Sequence, residues 1–332
     1  MADRSAFVTG GSGFIGGHLL RRLAADGWRV RALARSDRSA RAVEEAGAEA
    51  VRGDLDDAGS MRAGAAGCDV AFHAAAYVGE WGSWRDFERG NVDGTRNALE
   101  ACRDAGVRRF VHVGTEAAIL AGKPLVDVDE TAPLRPDSRA PYCATKARAE
   151  ELVRSASGIE TVVVRPRLVW GAGDTTILPG LVEAVRRGRF SWVGGGANRT
   201  STTHVANTVE GLVLGAERGR PGEAYFVTDG EPVVFREFIS ELLGTQGVDP
   251  GSRSIPAPVA RAAAAAGEGL WRAARRHSSP PPVTRMAVWV SSLDTTIDIS
   301  KARAELGYEP VVSRAEGMEE LRREAETAAG VA

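Results

Sequence analysis

The sequence predicts an α/β fold, a doubly wound parallel sheet with a smaller, interleaved C-terminal part. Three observations carry that expectation. Short apolar runs alternate with helical segments through the first half of the chain. A glycine-rich turn joins the first run to the first helix. From about Trp170 the alternation stops, and Gly and Pro punctuate GAGD, ILPG and WVGGGAN. The chain has 332 residues, 43% of them hydrophobic, enough for one large domain or two closely joined ones around a sizeable core.

The elements follow in order. SAFVTG reads as the first strand and FIGGHLLRRLAADG as the helix after it. Ile15, Leu19, Leu20 and Leu23 share one face of that helix, and Gly27 stands where it should stop. WRVRALA, AEAVRGD, CDVAFHA and RRFVHVG read as strands two to five. TVVVRP is the sixth, after the helix that carries Tyr142. Strands alternating with helices imply parallel βαβ units with right-handed crossovers. Beyond Trp170 come a short strand, EAYFVTD, and a helix, FREFISELLGTQG. An Ala-rich helix, VARAAAAAGEGLWRAARR, and a proline run, SSPPPVT, precede the last segment. ISKARAELGYEP is a helix with a glycine stop and a proline exit.

The formal net charge is -2, with acids and bases interspersed. This argues against nucleic acid or an anionic membrane as the main partner. Cys68, Cys102 and Cys143 are sparse and odd in number, which predicts reduced thiols and a cytoplasmic setting. No apolar run has signal-peptide or membrane-spanning length, so no integral membrane segment is expected. The five histidines are far apart, and no metal is inferred.

The chemistry begins at TGGSGFIG. Gly10, Gly13 and Gly16 lie between the first strand and the first helix, with Phe14 and Ile15 in the same turn. A dinucleotide pyrophosphate needs close backbone approach and the amide end of a helix, and both are offered here. The fold expected is therefore Rossmann-type: residues 1–170 form the dinucleotide-binding domain, and 171–332 are mainly the substrate-binding part. At the end of the second strand an acid would grip the ribose of NAD(H), but Ala34 stands there, followed by Arg35, Ser36 and Asp37. Arg35 and Ser36 suit a 2′-phosphate, so NADP(H) is preferred, with NAD(H) the alternative if Asp37 turns inward. In GDLDD, Asp54 and Leu55 either flank an adenine or form a turn or helix cap. Ala74 and Ala75, in FHAAA, either let a cofactor lie on the strand end or simply pack there.

Tyr142 and Lys146 stand four apart in APYCATKARAE, on one helix face. An ammonium beside the phenol favours phenolate and suits general acid–base work on an alcohol or ketone. Thr115, in HVGTEA, offers a hydroxyl for the substrate oxygen. Trp81 and Trp84 either lid an apolar pocket or belong to core or surface, and His204 supports the substrate pocket or packs structurally. The Ala-rich helix reads as a packing element rather than a membrane-surface one.

These motifs together resemble those of the extended short-chain dehydrogenases/reductases, the NAD-dependent epimerase/dehydratase family. TGGSGFIG, GDLDD, HAAA, NVDGT, YCATK, RPRLVWGAGD and KARAELGY fall in the family's order over nearly the whole chain. The likeness is closest to the 3β-hydroxysteroid dehydrogenase/isomerase branch, through THVANTVEG and GEAYFVTDGEPVVFREF. The resemblance implies that Tyr142 is the proton donor or acceptor. Lys146 would hold the nicotinamide ribose, and Thr115 would replace the usual Ser. Asn91 would be the structural helix Asn, with Pro166 and Val169 along the nicotinamide. It also implies an apolar, steroid- or terpenoid-like substrate and a homodimer paired through the Tyr142 helix and the helix after NVDGT. The alternative is a nucleotide-sugar epimerase/dehydratase. Against it, the dehydratases' paired acids are reduced to Glu116 before Ala117. The epimerases' anchoring Arg is replaced by Thr200, with Arg199 one residue early.

Overall fold

The computed structural model describes residues 4–330. Seven strands form one wholly parallel sheet: β1 Ser5–Thr9, β2 Arg29–Ala34, β3 Glu49–Arg52, β4 Val70–His73, β5 Arg109–Val113, β6 Glu160–Pro166 and β7 Glu223–Val227. Their spatial order is β7-β6-β5-β4-β1-β2-β3. The six strands expected before Trp170 are all present, and the sheet is the doubly wound Rossmann type. β1 is buried at every residue, as its unbroken apolar run requires of a parallel strand covered on both faces. Strand order reverses between β1 and β4, and the crevice above their carboxyl ends is where such sheets bind ligands.

β7 is the strand EAYFV. It pairs in parallel with β6 from Glu223↔Val162 to Val227↔Pro166, although the helices Ile177–Arg186 and Val205–Arg218 and several short strands lie between the two in the chain. One face of the sheet is covered by the helices Phe14–Ala25 and Val205–Arg218, with Leu19, Leu20, Leu23, Leu212 and Val213 in a shared core. The other face carries the helices Ala58–Ala65, Gly94–Asp104 and Pro141–Arg154, through Met61, Leu99, Cys102 and Val153. A smaller sheet runs Val233–Val234, Arg199–Thr200, Thr295–Ile297, Leu125–Val128. Its last strand comes from before the Tyr142 helix, so early and late segments meet in it. A third core, around Trp170, Trp192, Phe238, Leu242 and Met318, fills the C-terminal part.

The Ala-rich helix, Ala257–Ala273, buries Ala260, Ala264 and Glu268. Among the described residues, no helix is long and apolar enough to cross a membrane.

Candidate active site

The glycine turn at the switch point is explained partly by the protein's own packing. A Cβ on Gly10 would come within 2.5 Å of the Ala75 nitrogen, and one on Gly16 within 2.0 Å of the Gly10 carbonyl oxygen. Those two glycines let β1, β4 and the helix Phe14–Ala25 close on one another. Gly13 differs: it is exposed, and a Cβ there would meet only the Gly10 oxygen, at 3.3 Å. No side chain caps the helix that starts at Phe14. The uncapped first turn and the bare Gly13 leave amide hydrogens and open space facing outward, which fits a pyrophosphate. Ile15 is half-buried in the same turn, and Ala74 and Ala75 continue from β4 against Gly10.

At the end of β2, Arg35, Ser36 and Asp37 are all exposed. Ser36 caps the next helix, accepting from the Ser39 amide at 3.2 Å. Asp37 forms an ion pair with Arg52. Asp54 turns into its own loop, accepting from the Asp56 amide at 3.1 Å, while Asp57 caps the helix Ala58–Ala65. Leu55 lies against Gly94, and its carbonyl accepts from Asn97 at 2.9 Å. Pro166 closes β6, and Val169 begins a short strand paired with Thr203.

Tyr142 and Lys146 lie on one face of Pro141–Arg154, which packs against the short helix Glu116–Ile119 that follows Thr115. Lys146 is buried; its Nζ donates to the Val113 carbonyl at 2.8 Å and stands 3.4 Å from His112 Nε2. Burial brings Lys146 down to about 8. The expectation that this ammonium lowers the phenol is overturned. Burial first, then the Glu116 carboxylate and Cys143, raise Tyr142 well above the usual tyrosine value. The physical reason is that burial disfavours the phenolate, while the ammonium is turned to the Val113 carbonyl.

The Glu116 carboxylate belongs to a buried chain. Thr115 Oγ1 donates to Glu116 Oε2 at 2.9 Å. Glu116 Oε1 is ion-paired with Arg167, whose Nε and Nη2 donate to Thr200 Oγ1 at 3.1 and 3.0 Å. Beneath the site, His73 stacks on His112 with ring centres 5.5 Å apart. Burial brings His73 down to about 3 and His112 well below the usual histidine value. Thr95 donates to the Asn91 carbonyl at 2.6 Å, so its oxygen accepts from His73 Nε2, and His73 Nδ1 accepts from Thr9. Asn91 sits in a π-helical turn. Its amide group exchanges hydrogen bonds with the Tyr77 backbone and donates to Thr145 at 3.0 Å, tying the post-β4 loop to the Tyr142 helix.

The apolar neighbours of Tyr142 are Ala117, Leu120 and Cys143, with Met286, Trp289 and Leu293 from around the helix Arg285–Ser292. Met286, Trp289, Glu116 as a phenol neighbour and Arg167 escape the reading of the motifs. The spacing of 286, 289 and 293 is a helical stripe, but it sits behind a proline run that reads as a break. Trp81 and Trp84 flank Arg272 of the Ala-rich helix, with ring centres 5.4 and 5.9 Å from its guanidinium carbon. Trp81 Nε1 also donates to the Arg276 carbonyl at 2.9 Å. They clasp that helix to the sheet domain. His204 caps the helix Val205–Arg218, stacks edge-on against Trp170 at 4.9 Å, and is brought by burial to about 4. These contacts are those of a packed structural residue. Arg199 is exposed, with its amide on Asp294, while Thr200 is buried on Arg167.

Comparison with known proteins decides the family. A model of the 3-beta hydroxysteroid dehydrogenase/isomerase family matches residues 7–257. This chain belongs to that family. A 4-hydroxy-2-methyl-3-oxo-4-farnesyl-3,4-dihydroquinoline-1-oxide ketoreductase from Stigmatella aurantiaca is 49% identical over 96% of this chain and 95% of its own. A 2-alkyl-3-oxoalkanoate reductase from Stenotrophomonas maltophilia is 37% identical over 95% of this chain and 97% of its own. Among solved structures, a dTDP-glucose 4,6-dehydratase from Streptomyces venezuelae, determined with NAD bound, superposes with a TM-score of 0.76. It is 26% identical and covers 98% of both chains. As a member of the 3-beta hydroxysteroid dehydrogenase/isomerase family, this chain is an NAD(P)-dependent extended short-chain dehydrogenase/reductase, and it uses a nicotinamide cofactor.

Proposed function

We propose that this enzyme reduces a ketone on an apolar, terpenoid- or steroid-like molecule, with Tyr142 as the general acid. The observation that carries the reading is the surroundings of the phenol: Thr115 beside it and an apolar face made by Met286, Trp289 and Leu293. The names of the two relatives, both reductases of oxo compounds, point the same way. A nicotinamide cofactor, when bound, would supply the hydride that the carbonyl carbon takes up. Tyr142 gives its hydroxyl proton to the carbonyl oxygen, and Thr115 keeps the phenol in place. Lys146, held by the Val113 carbonyl, would hold the nicotinamide ribose. A diphosphate clamp is poorly supported, because Arg199 is exposed and Thr200 is committed to Arg167. We infer a homodimer through the helices Gly94–Asp104 and Pro141–Arg154.

A panel of farnesylated quinolone, steroid and 2-alkyl-3-oxoalkanoate ketones, followed by nicotinamide absorbance, tests the reading. Stoichiometric consumption of reduced cofactor with an apolar ketone is expected. Conversion of dTDP-glucose with no net change in absorbance would overturn it in favour of a dehydratase.

The same reading prefers NADP(H). Arg35 is exposed at the end of β2, and Asp37 is turned to Arg52. A charge-assisted bond to a 2′-phosphate is worth about 1.5–3 kcal/mol. Arg35→Ala is therefore expected to weaken NADPH binding roughly ten- to a hundredfold and to leave NADH nearly untouched. Fluorescence titration with each cofactor checks this; equal loss for both would remove Arg35 from phosphate recognition.

A further inference from the structure

A cleft of about 490 Å³ runs along the seam between the sheet domain and the C-terminal part and has no role in the mechanism above. One wall is Trp84 from the loop after β4, Asp137 and Arg139 from just before the Tyr142 helix, and Arg148 on that helix. The other is Arg272 of the Ala-rich helix and Arg285 of the helix Arg285–Ser292. Arg148 shares its helix with Tyr142 but not the face that carries the phenol. The volume falls within the range of small-molecule sites, about 300–1,000 Å³. Four guanidinium groups thus line one cleft, in a chain whose formal net charge is -2. Their carboxylate partners do not neutralise them. Arg148 pairs with Glu88 at 3.0 Å. Arg272 and Arg285 share the one carboxylate of Glu268, at 3.9 and 2.7 Å. Asp137 is taken by Arg135, which grips both of its oxygens at 2.9 and 2.8 Å. Arg139 is exposed and has no ion-pair partner among the described residues.

Like charges gathered in this way repel one another, and an anion placed among them relieves the repulsion. The number of forks says which anion. A guanidinium offers a planar fork of donors that fits two oxygens of one group. A carboxylate has two oxygens and is satisfied by one or two forks. A phosphoryl group has three free oxygens and a diphosphate more, so arginines reaching in from opposite walls suit phosphate chemistry. Trp84, 38% exposed, adds apolar surface at the edge of the same cleft. We propose that the cleft formed by Arg139, Arg148, Arg272 and Arg285 binds a phosphate group, clasped between the sheet domain and the C-terminal part. Inorganic phosphate and an organic phosphate ester share that chemistry, and Trp84 distinguishes them, because only an ester has an organic part to lie on the ring. The site stands apart from the reading of Tyr142 as general acid.

The test uses the intact chain saturated with NADPH, so that the glycine turn is already filled. Inorganic phosphate, pyrophosphate and phenyl phosphate are each titrated by calorimetry at constant ionic strength, and thermal unfolding is followed at the same concentrations. Saturable binding is expected, with a rise in Tm that follows occupancy. Arg139→Gln strands no partner, so it should fold as the parent does. It should bind each probe roughly tenfold more weakly, the usual scale for one charge-assisted contact. Arg139→Lys, which keeps the charge but not the fork, should fall between the two. Tighter binding of phenyl phosphate than of inorganic phosphate, with the difference lost in Trp84→Leu, would assign the site to an organic ester; equal affinities would assign it to the inorganic anion. Absence of saturable binding by all three probes at millimolar concentration would overturn the proposal. So would affinities that Arg139→Gln leaves unchanged.

Discussion

Tyr142→Phe is expected to lose most turnover, by roughly 10²–10⁴-fold, the usual contribution of a placed general acid. Cofactor affinity should survive, because the ring still fills its place beside Ala117, Leu120 and Trp289, and only the hydroxyl is gone. The comparison needs two measurements on one preparation: ketone-dependent loss of nicotinamide absorbance and a tryptophan-fluorescence titration with the cofactor. Turnover near the parent's would remove the phenol from the mechanism. Loss of both together would point to a disturbed helix rather than a missing proton.

The second large effect is on stability. Glu150 stands one turn beyond Lys146 on the same helix, fully buried, and accepts from Arg165 Nε of β6 at 2.9 Å. Arg165 is itself fully buried and lies over the Phe226 ring of β7 at 5.0 Å. This pair fastens the helix that carries Tyr142 to the sheet. Glu150→Ala leaves the buried Arg165 guanidinium without its ion-pair partner, which costs about 3–5 kcal/mol. Denaturant unfolding of the variant should show that loss, and Glu150→Ala/Arg165→Met should recover much of it. A loss under about 1 kcal/mol would mean the helix is held by packing alone.

Much of this was legible in the sequence. Strands β1 to β6 are apolar runs bounded by Gly, Asp or Pro, and local pattern suffices to find them. The glycine turn was legible because its geometry demands residues without a Cβ, and Gly10 and Gly16 meet that demand against neighbouring backbone. The place of EAYFV in the sheet was not, since a five-residue strand does not say which distant strand it pairs with. The surroundings of Tyr142 are hidden from the sequence for a similar reason. Helix periodicity puts Lys146 on the phenol's face, but only the fold shows that its ammonium reaches the Val113 carbonyl and that the phenol is buried. Trp81 and Trp84 stand out in the sequence by size alone, and their partner, Arg272, lies far along the chain.

The late arrival of β7 has a consequence for biosynthesis. β6, ETVVVRP, is buried along nearly its whole length and borders β5 on one side and β7 on the other. While the chain is being made, β5 is available as soon as β6 appears, but Glu223–Val227 and the covering helix Val205–Arg218 are not. At roughly 5–20 residues per second, that edge stays open for several seconds on each ribosome. An unpaired, Val-rich parallel edge is a template for pairing with a neighbouring nascent chain. Yield in a cell should therefore depend on how fast the stretch between Pro166 and Val227 is translated, and on chaperones that shield an edge strand. Slow codons placed in that stretch would send more of the product into inclusion bodies without changing a single residue.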